Sequence, residues 1–302
     1  ELSFFSYGLK RILYGLFLKV VFADNIGSIV DEIYLINYNF ASAVDVLTMS
    51  FLFGFQIYFD FSAYSHIALG SALLFGIKIP ENFNFPYIAT SLKDFWKRWH
   101  ISLSAWIRDY LYLPLSGVKV SNSSGKTGIG KVLSDLKNKR SNIPLFITWA
   151  IMGLWHGANW TFLFWGLFHA FFIFLERIFK PFRNRFKIFN NKLINWGITL
   201  IISMLSWIPF RVSSIEETFL LYSKLFDFNN FFNLSFRENS YIITLLILII
   251  FICSYYFKLL VVPRVKNNYI LFFGYTFFKY LLLIFLTLIF LKPVNQFIYF
   301  QF

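Results

Sequence analysis

The chain alternates long apolar runs with short polar segments. The runs are Leu9–Phe22, Ala43–Phe75, Ile143–Leu175, Leu193–Phe210, Tyr241–Val262 and Leu271–Leu291. A helix crossing about 30 Å of hydrocarbon needs roughly 20 residues at about 1.5 Å each. The last three runs fit one crossing apiece, and the first is short. Ala43–Phe75 has flanks of opposite charge, so one tilted or kinked crossing suffices. Ser91–Leu115 mixes Trp96, Trp99, Trp106, Tyr110 and Tyr112 with Lys93, Lys97, Arg98 and Arg108, which predicts helices lying at a membrane interface. Ser116–Asn142, rich in Ser, Asn, Gly and Lys, reads as a flexible loop.

The charges between the runs give a sidedness. Asp24–Phe40 reads as a loop with Asp24, Asp31 and Glu32 and no Lys or Arg, and Val212–Ser240 is mainly acidic. These two segments are expected outside. Lys78–Arg140, Arg177–Lys192 and the cations Lys258, Arg264 and Lys266 are expected on the cytoplasmic side. Both flanks of Ile143–Leu175 are then cytoplasmic. As one helix this run would be roughly 50 Å long, so the pattern predicts a re-entrant hairpin. Its break is expected at Gly153–Asn159, where two glycines and an asparagine interrupt the run. Broken backbone at membrane depth is tolerated where it is buried in protein or lines a wet cavity.

Composition narrows the class. Only 14% of residues are charged, against about 25% in soluble domains, so the chain is expected to be an all-α polytopic membrane protein. The net charge of +13 sits in short loops between apolar runs, as sidedness requires, and nucleic acid is not an expected partner. The single cysteine, Cys253, lies in an apolar run and reads as packing. The four histidines form no HxxxH or HExxH pair, so no metal site is expected.

Ionisable residues in membrane-grade sequence are functional candidates by default. His156 lies in GLWHGAN (Gly153–Asn159) and His100 ends WKRWH (Trp96–His100). Each has an ordinary reading, a hydrogen-bonded core histidine or an interfacial one. The functional reading makes His156 a general base kept neutral by desolvation and walled by Trp155 and Trp160. Asn159, one turn on if the segment is helical, would fix its tautomer or donate to an oxyanion. His100 would be a second acid/base or a gate, with Lys97 and Arg98 beside Trp99 attracting a phosphate-bearing donor. Asp60, mid-run, needs a histidine, an arginine or a tyrosine hydroxyl as partner. His66 and His169 have nothing obvious converging on them. Two other classes fit the same polar breaks: a transporter with a mid-membrane substrate site, and a non-catalytic scaffold of an envelope-polysaccharide complex.

Asn82–Gly117 (NFNFPYIATSLKDFWKRWHISLSAWIRDYLYLPLSG) and Met152–Ala170 (MGLWHGANWTFLFWGLFHA) resemble the membrane-bound O-acyltransferase family. The resemblance extends to Ile57–Gly70, WIPFR at Trp207–Arg211 and FIYFQF at Phe297–Phe302, and is closest to the bacterial alginate and peptidoglycan O-acetylation branch. It implies a single membrane domain over residues 1–302, with broken helices around a central tunnel and further helices upstream of Glu1. It implies acetyl transfer from a cytoplasmic thioester, acetyl-CoA or an acyl carrier protein, towards an envelope polysaccharide. His156 falls on the family's catalytic histidine and His100 on its second histidine. No bound cofactor is implied. The implied partners are the lipid membrane, the thioester donor and an extracytoplasmic SGNH-type transferase; the implied location is the bacterial cytoplasmic membrane.

Overall fold

The computed structural model describes residues 2–117, 142–185, 191–292, 296 and 297. The described residues are helical with no strand. Among the described residues six helices are long and apolar enough to cross a membrane: Ser3–Ile33, Ala43–Leu74, Trp160–Pro181, Lys192–Arg211, Glu238–Lys266 and Tyr269–Ile289. The loop expected at Ser116–Asn142 falls almost wholly outside the described residues, as does FIYFQF apart from Phe297. The chain divides into two compact units, Asn82–Ile215 and the segments on either side of it.

In the outer-segment unit the first helix is longer than its apolar run. α1 (Leu2–Phe17) continues through a π-helical turn (Leu18–Ala23) into α2 (Asp24–Ile33). The expected loop at Asp24–Phe40 is therefore helix over its first half. The acids Asp31 and Glu32 hid an amphipathic pattern whose buried face is Ile26, Gly27, Val30 and Ile33. Likewise, the expected loop Val212–Ser240 contains a helix, Ile215–Lys224.

α3 (Ala43–Leu74) is one unbroken helix opened by a Ser42–Asp45 capping box. It runs antiparallel to α1, because Tyr14 meets His66 and Lys19 meets Asp60. Asp60 pairs with Lys19, at 2.7 Å, a residue type that was not among the expected partners. The π turn explains this ion cluster. It bonds the Asp24 N–H to the Lys19 carbonyl, five residues back. In a regular α-helix those two side chains would diverge by about 140°. Here Lys19 Nζ lies 3.0 Å from Asp24 Oδ1 and 3.3 Å from the Gln296 carbonyl oxygen. Lys19 and Asp60 are both buried. Phe251 of Glu238–Tyr256 packs against Phe55 and Tyr58 of α3, while that helix and Tyr269–Ile289 expose apolar side chains along most of their length, as lipid-facing helices do.

The unit Asn82–Ile215 is built on a helical hairpin. Numbering continues with α4 (Leu92–Phe95), α5 (Ile101–Ile107), α6 (Leu113–Leu115), α7 (Ile143–His156), α8 (Trp160–Arg185), α9 (Lys192–Leu205) and α10 (Ile208–Arg211). The 33-residue run is broken as expected, at Gly157–Asn159, and α7 and α8 fold back on each other. Gly153 faces Phe162 and Gly166 faces Trp149, so the pair is antiparallel. A Cβ on Gly153 would lie 2.3 Å from the Phe162 carbonyl oxygen, and one on Gly166 2.1 Å from that of Trp149. Only glycine allows this approach. α7 has 14 residues, about 21 Å, which is short of a full crossing. The expected interfacial segment Ser91–Leu115 is a series of short helices, α4 to α6, interrupted by a π-helical turn at Arg108–Tyr112. The N–H of Leu92, at the start of α4, donates to Glu176 of α8 at 2.7 Å.

Candidate active site

His156 is the last residue of α7, at the break in the hairpin, and is 8% exposed. Three rings meet it edge to face at centroid distances of 4.9 to 5.1 Å: Trp155, Trp165 and Phe210. The expected walls were Trp155 and Trp160. Trp160 instead opens α8 with 72% of its surface exposed. Trp165, one turn further into the hairpin, and Phe210 of α10 take its place. Neither was read as a site residue, although both lie in segments that carry the resemblance.

Asn159 does not continue a helix after His156. It lies in the break, where its Oδ1 accepts from the Thr161 N–H at 3.3 Å and its amide donates to the Ser213 carbonyl at 3.3 Å. This is helix-capping geometry. The side chain anchors the start of α8.

His100 lies between α4 and α5 with φ +43°, in the left-handed region that non-glycine residues avoid. Bonds from Asn84 N to Arg98 O and from Ile101 N to Asn82 O clamp the chain on both sides of it. Its Nδ1 is 3.1 Å from Asn82 Oδ1, an oxygen that also accepts from the Ser102 N–H and hydroxyl. An oxygen serving those donors is an acceptor, so His100 Nδ1 donates and Nε2 carries the lone pair. Burial, with a smaller contribution from His156, pushes the imidazole down to about 3. The two histidines of the sequence motifs belong to the same compact unit. Asn82 was missed as a partner because it lies 18 positions from His100, and asparagine in a loop carries no periodic signal.

Trp99 is buried, stacked on Phe95 and 4.7 Å from Trp207. Arg98 is half-buried, with Nε 3.0 Å from Asp94 and Nη1 3.3 Å from the Asn84 carbonyl oxygen. His169 lies at the floor of the same aromatic cluster, stacked on Trp149 and edge-on to Trp96 and Trp165. Asp60 and His66 belong to the other unit, Asp60 in the ion cluster with Lys19 and His66 edge-on to Tyr14.

Residues 2–215 match the family model described as MBOAT, membrane-bound O-acyltransferase family. The chain is 34% identical over 226 residues to the probable alginate O-acetylase of Azotobacter vinelandii, covering 75% of this chain and 41% of that protein. It is 37% identical over 215 residues to the peptidoglycan O-acetyltransferase of Helicobacter pylori, covering 70% of this chain and 37% of that protein. A teichoic acid D-alanyltransferase of Bacillus subtilis is 32% identical over 185 residues, covering 60% of this chain and 43% of that protein. The chain thus spans about two fifths of the length of the curated relatives it matches. With its apolar helices and a family match over residues 2–215, this multi-pass membrane chain belongs to the membrane-bound O-acyltransferase family.

Proposed function

We propose that the chain carries the acyl-transfer site of an O-acetyltransferase. It moves acetyl from a cytoplasmic thioester, acetyl-CoA or an acyl carrier protein, across the bacterial cytoplasmic membrane for O-acetylation of an envelope polysaccharide. One observation carries this reading: His156 stands at the broken end of a helical hairpin, among aromatic rings and in the same compact unit as His100. The names of the relatives, alginate O-acetylase and peptidoglycan O-acetyltransferase, support acetyl as the group and an envelope polysaccharide as its destination.

In the proposed reaction His156 takes the proton of an attacking hydroxyl as its oxygen bonds to the thioester carbonyl carbon. The carbonyl oxygen becomes an oxyanion. Collapse restores the carbonyl, breaks the carbon–sulfur bond and returns the proton from His156 to the leaving thiolate. The products are an ester and a free thiol. His100, with its Nε2 lone pair fixed by Asn82, assists on the donor side. The hydroxyl belongs to the polysaccharide or to an extracytoplasmic SGNH-type transferase that passes the acetyl on.

The test is mass analysis of peptidoglycan and exopolysaccharide O-acetyl esters in cells carrying His156→Ala. The esters are expected to disappear while the protein remains in the membrane; wild-type ester levels would overturn the reading. His100→Ala is expected to lower them strongly.

A further inference from the structure

Among the described residues, the aromatic cluster around His156 holds three hydrogen-bond donors without an acceptor. Trp165 and Trp207 are each 1% exposed, and neither indole Nε1–H has a partner. His169 is fully buried. Its Nδ1 faces Trp96 Nε1 at 3.4 Å. An indole nitrogen only donates, so His169 Nδ1 is the acceptor and its proton sits on Nε2. That Nε2–H also has no partner.

Buried donors are ordinarily paired, and isolated exceptions call for a reason. Here three share one cluster. Trp165 is its centre, with ring centroids 5.0 Å from His169, 5.1 Å from His156 and 6.3 Å from Trp207. No acceptor among the described residues lies within hydrogen-bond distance of them. Phe210 touches His156, Trp165 and Trp207 at 5.1 to 5.6 Å, so it joins His156 to both indoles.

The structure assigns these groups a second role, as a donor subsite for the acyl carbonyl oxygen, with Trp165 and Trp207 its principal members and His169 behind them. The inference rests on the acyl-transfer reading above. When the hydroxyl oxygen bonds to the carbonyl carbon, the electron pair of the C=O moves onto oxygen, and the indole N–H groups hold that charge. Their bonds strengthen as the charge develops and relax when the carbon–sulfur bond breaks. Neutral, rigid donors in a dry aromatic setting suit this role, because they stabilise an oxyanion without reorganisation. Aromatic walls around them also fit an acetyl methyl group better than a polar acyl group.

The test replaces Trp165 and, separately, Trp207 with 3-benzothienylalanine, which keeps the bicyclic shape and exchanges the N–H for sulfur. The full-length protein is assayed in membrane vesicles with acetyl-coenzyme A as donor probe, and thermal stability is measured alongside. The expected result is a kcat lowered at least about 10-fold for either variant, with donor KM within about two-fold and the melting temperature held. Wild-type kcat in both variants overturns the inference and leaves the N–H groups as ring-facing packing. A wild-type protein that transfers no acetyl from acetyl-coenzyme A, with O-acetyl esters retained in His156→Ala cells, fails the function itself and is read separately.

Discussion

At the residue scale the site depends on how two imidazoles are held. His100 is fixed by Asn82 and by a backbone conformation that costs about 1–3 kcal/mol in a non-glycine residue. The sign of its pKa shift sets a pH dependence. With its acidity pushed down to about 3, His100 is neutral throughout pH 5–8 and contributes no titration limb there. Asn82→Ala should therefore lower kcat through a misplaced ring, and the shape of the pH–rate profile between 5 and 8 should be unchanged. A new limb near 6 in the variant would instead mean that Asn82 holds His100 neutral. Both histidines were legible in the sequence, because histidine among tryptophans beside an apolar run is conspicuous. Their partners were not. Asn82, Trp165 and Phe210 reach the site through tertiary packing, and no local period marks them.

At the scale of elements, loop charge foretold the hairpin. Basic flanks on both sides of a run too long for one crossing demanded a break, and α7 and α8 supply it at Gly157–Asn159. The glycine seam makes the fold-back specific. Gly166→Val should push α7 from α8, cost about 1–3 kcal/mol or more by overpacking, and reduce the amount of protein in the membrane. Accumulation equal to wild type would show that the seam can spread at little cost. The buried ion cluster between α1 and α3 makes a contrasting case. Lys19→Met leaves the buried Asp60 and the half-buried Asp24 without their cation and should cost about 3–5 kcal/mol. Adding Asp60→Leu should recover most of that loss in a thermal-melting assay. A double variant as unstable as the single one would mean that Lys19 serves Asp24 rather than Asp60. The cluster escaped the sequence because its two sides lie 41 positions apart and because a π turn, invisible in hydrophobic periodicity, aligns Lys19 with Asp24.

At the scale of the whole molecule, the charge pattern predicts a sidedness that the outer-segment unit renders in three dimensions. Asp24–Phe40 and Val212–Ser240 were both expected outside from their charges. The structure ties them together: Lys224 donates to the Asn39 carbonyl at 2.6 Å, the Ser235 hydroxyl to the Phe40 carbonyl at 3.0 Å, and Arg237 pairs with Glu32 at 3.4 Å. The other end of α1 and α3 carries Arg11 paired with Glu81, and Lys78 over the Phe4 ring. One end of this unit is therefore acidic on balance and the other basic, although the two outward segments are almost 200 positions apart. Positive charge is retained on the cytoplasmic side. In a Cys253→Ser background, cysteines at Asn39 and Asn229 should react with a membrane-impermeant maleimide in intact cells. Cysteines at Lys78 and Lys266 should react only after permeabilisation. Labelling of 39 and 229 from opposite sides would contradict the hydrogen bonds that join their segments; labelling of all four from outside would reverse the charge rule on which the cytoplasmic thioester depends.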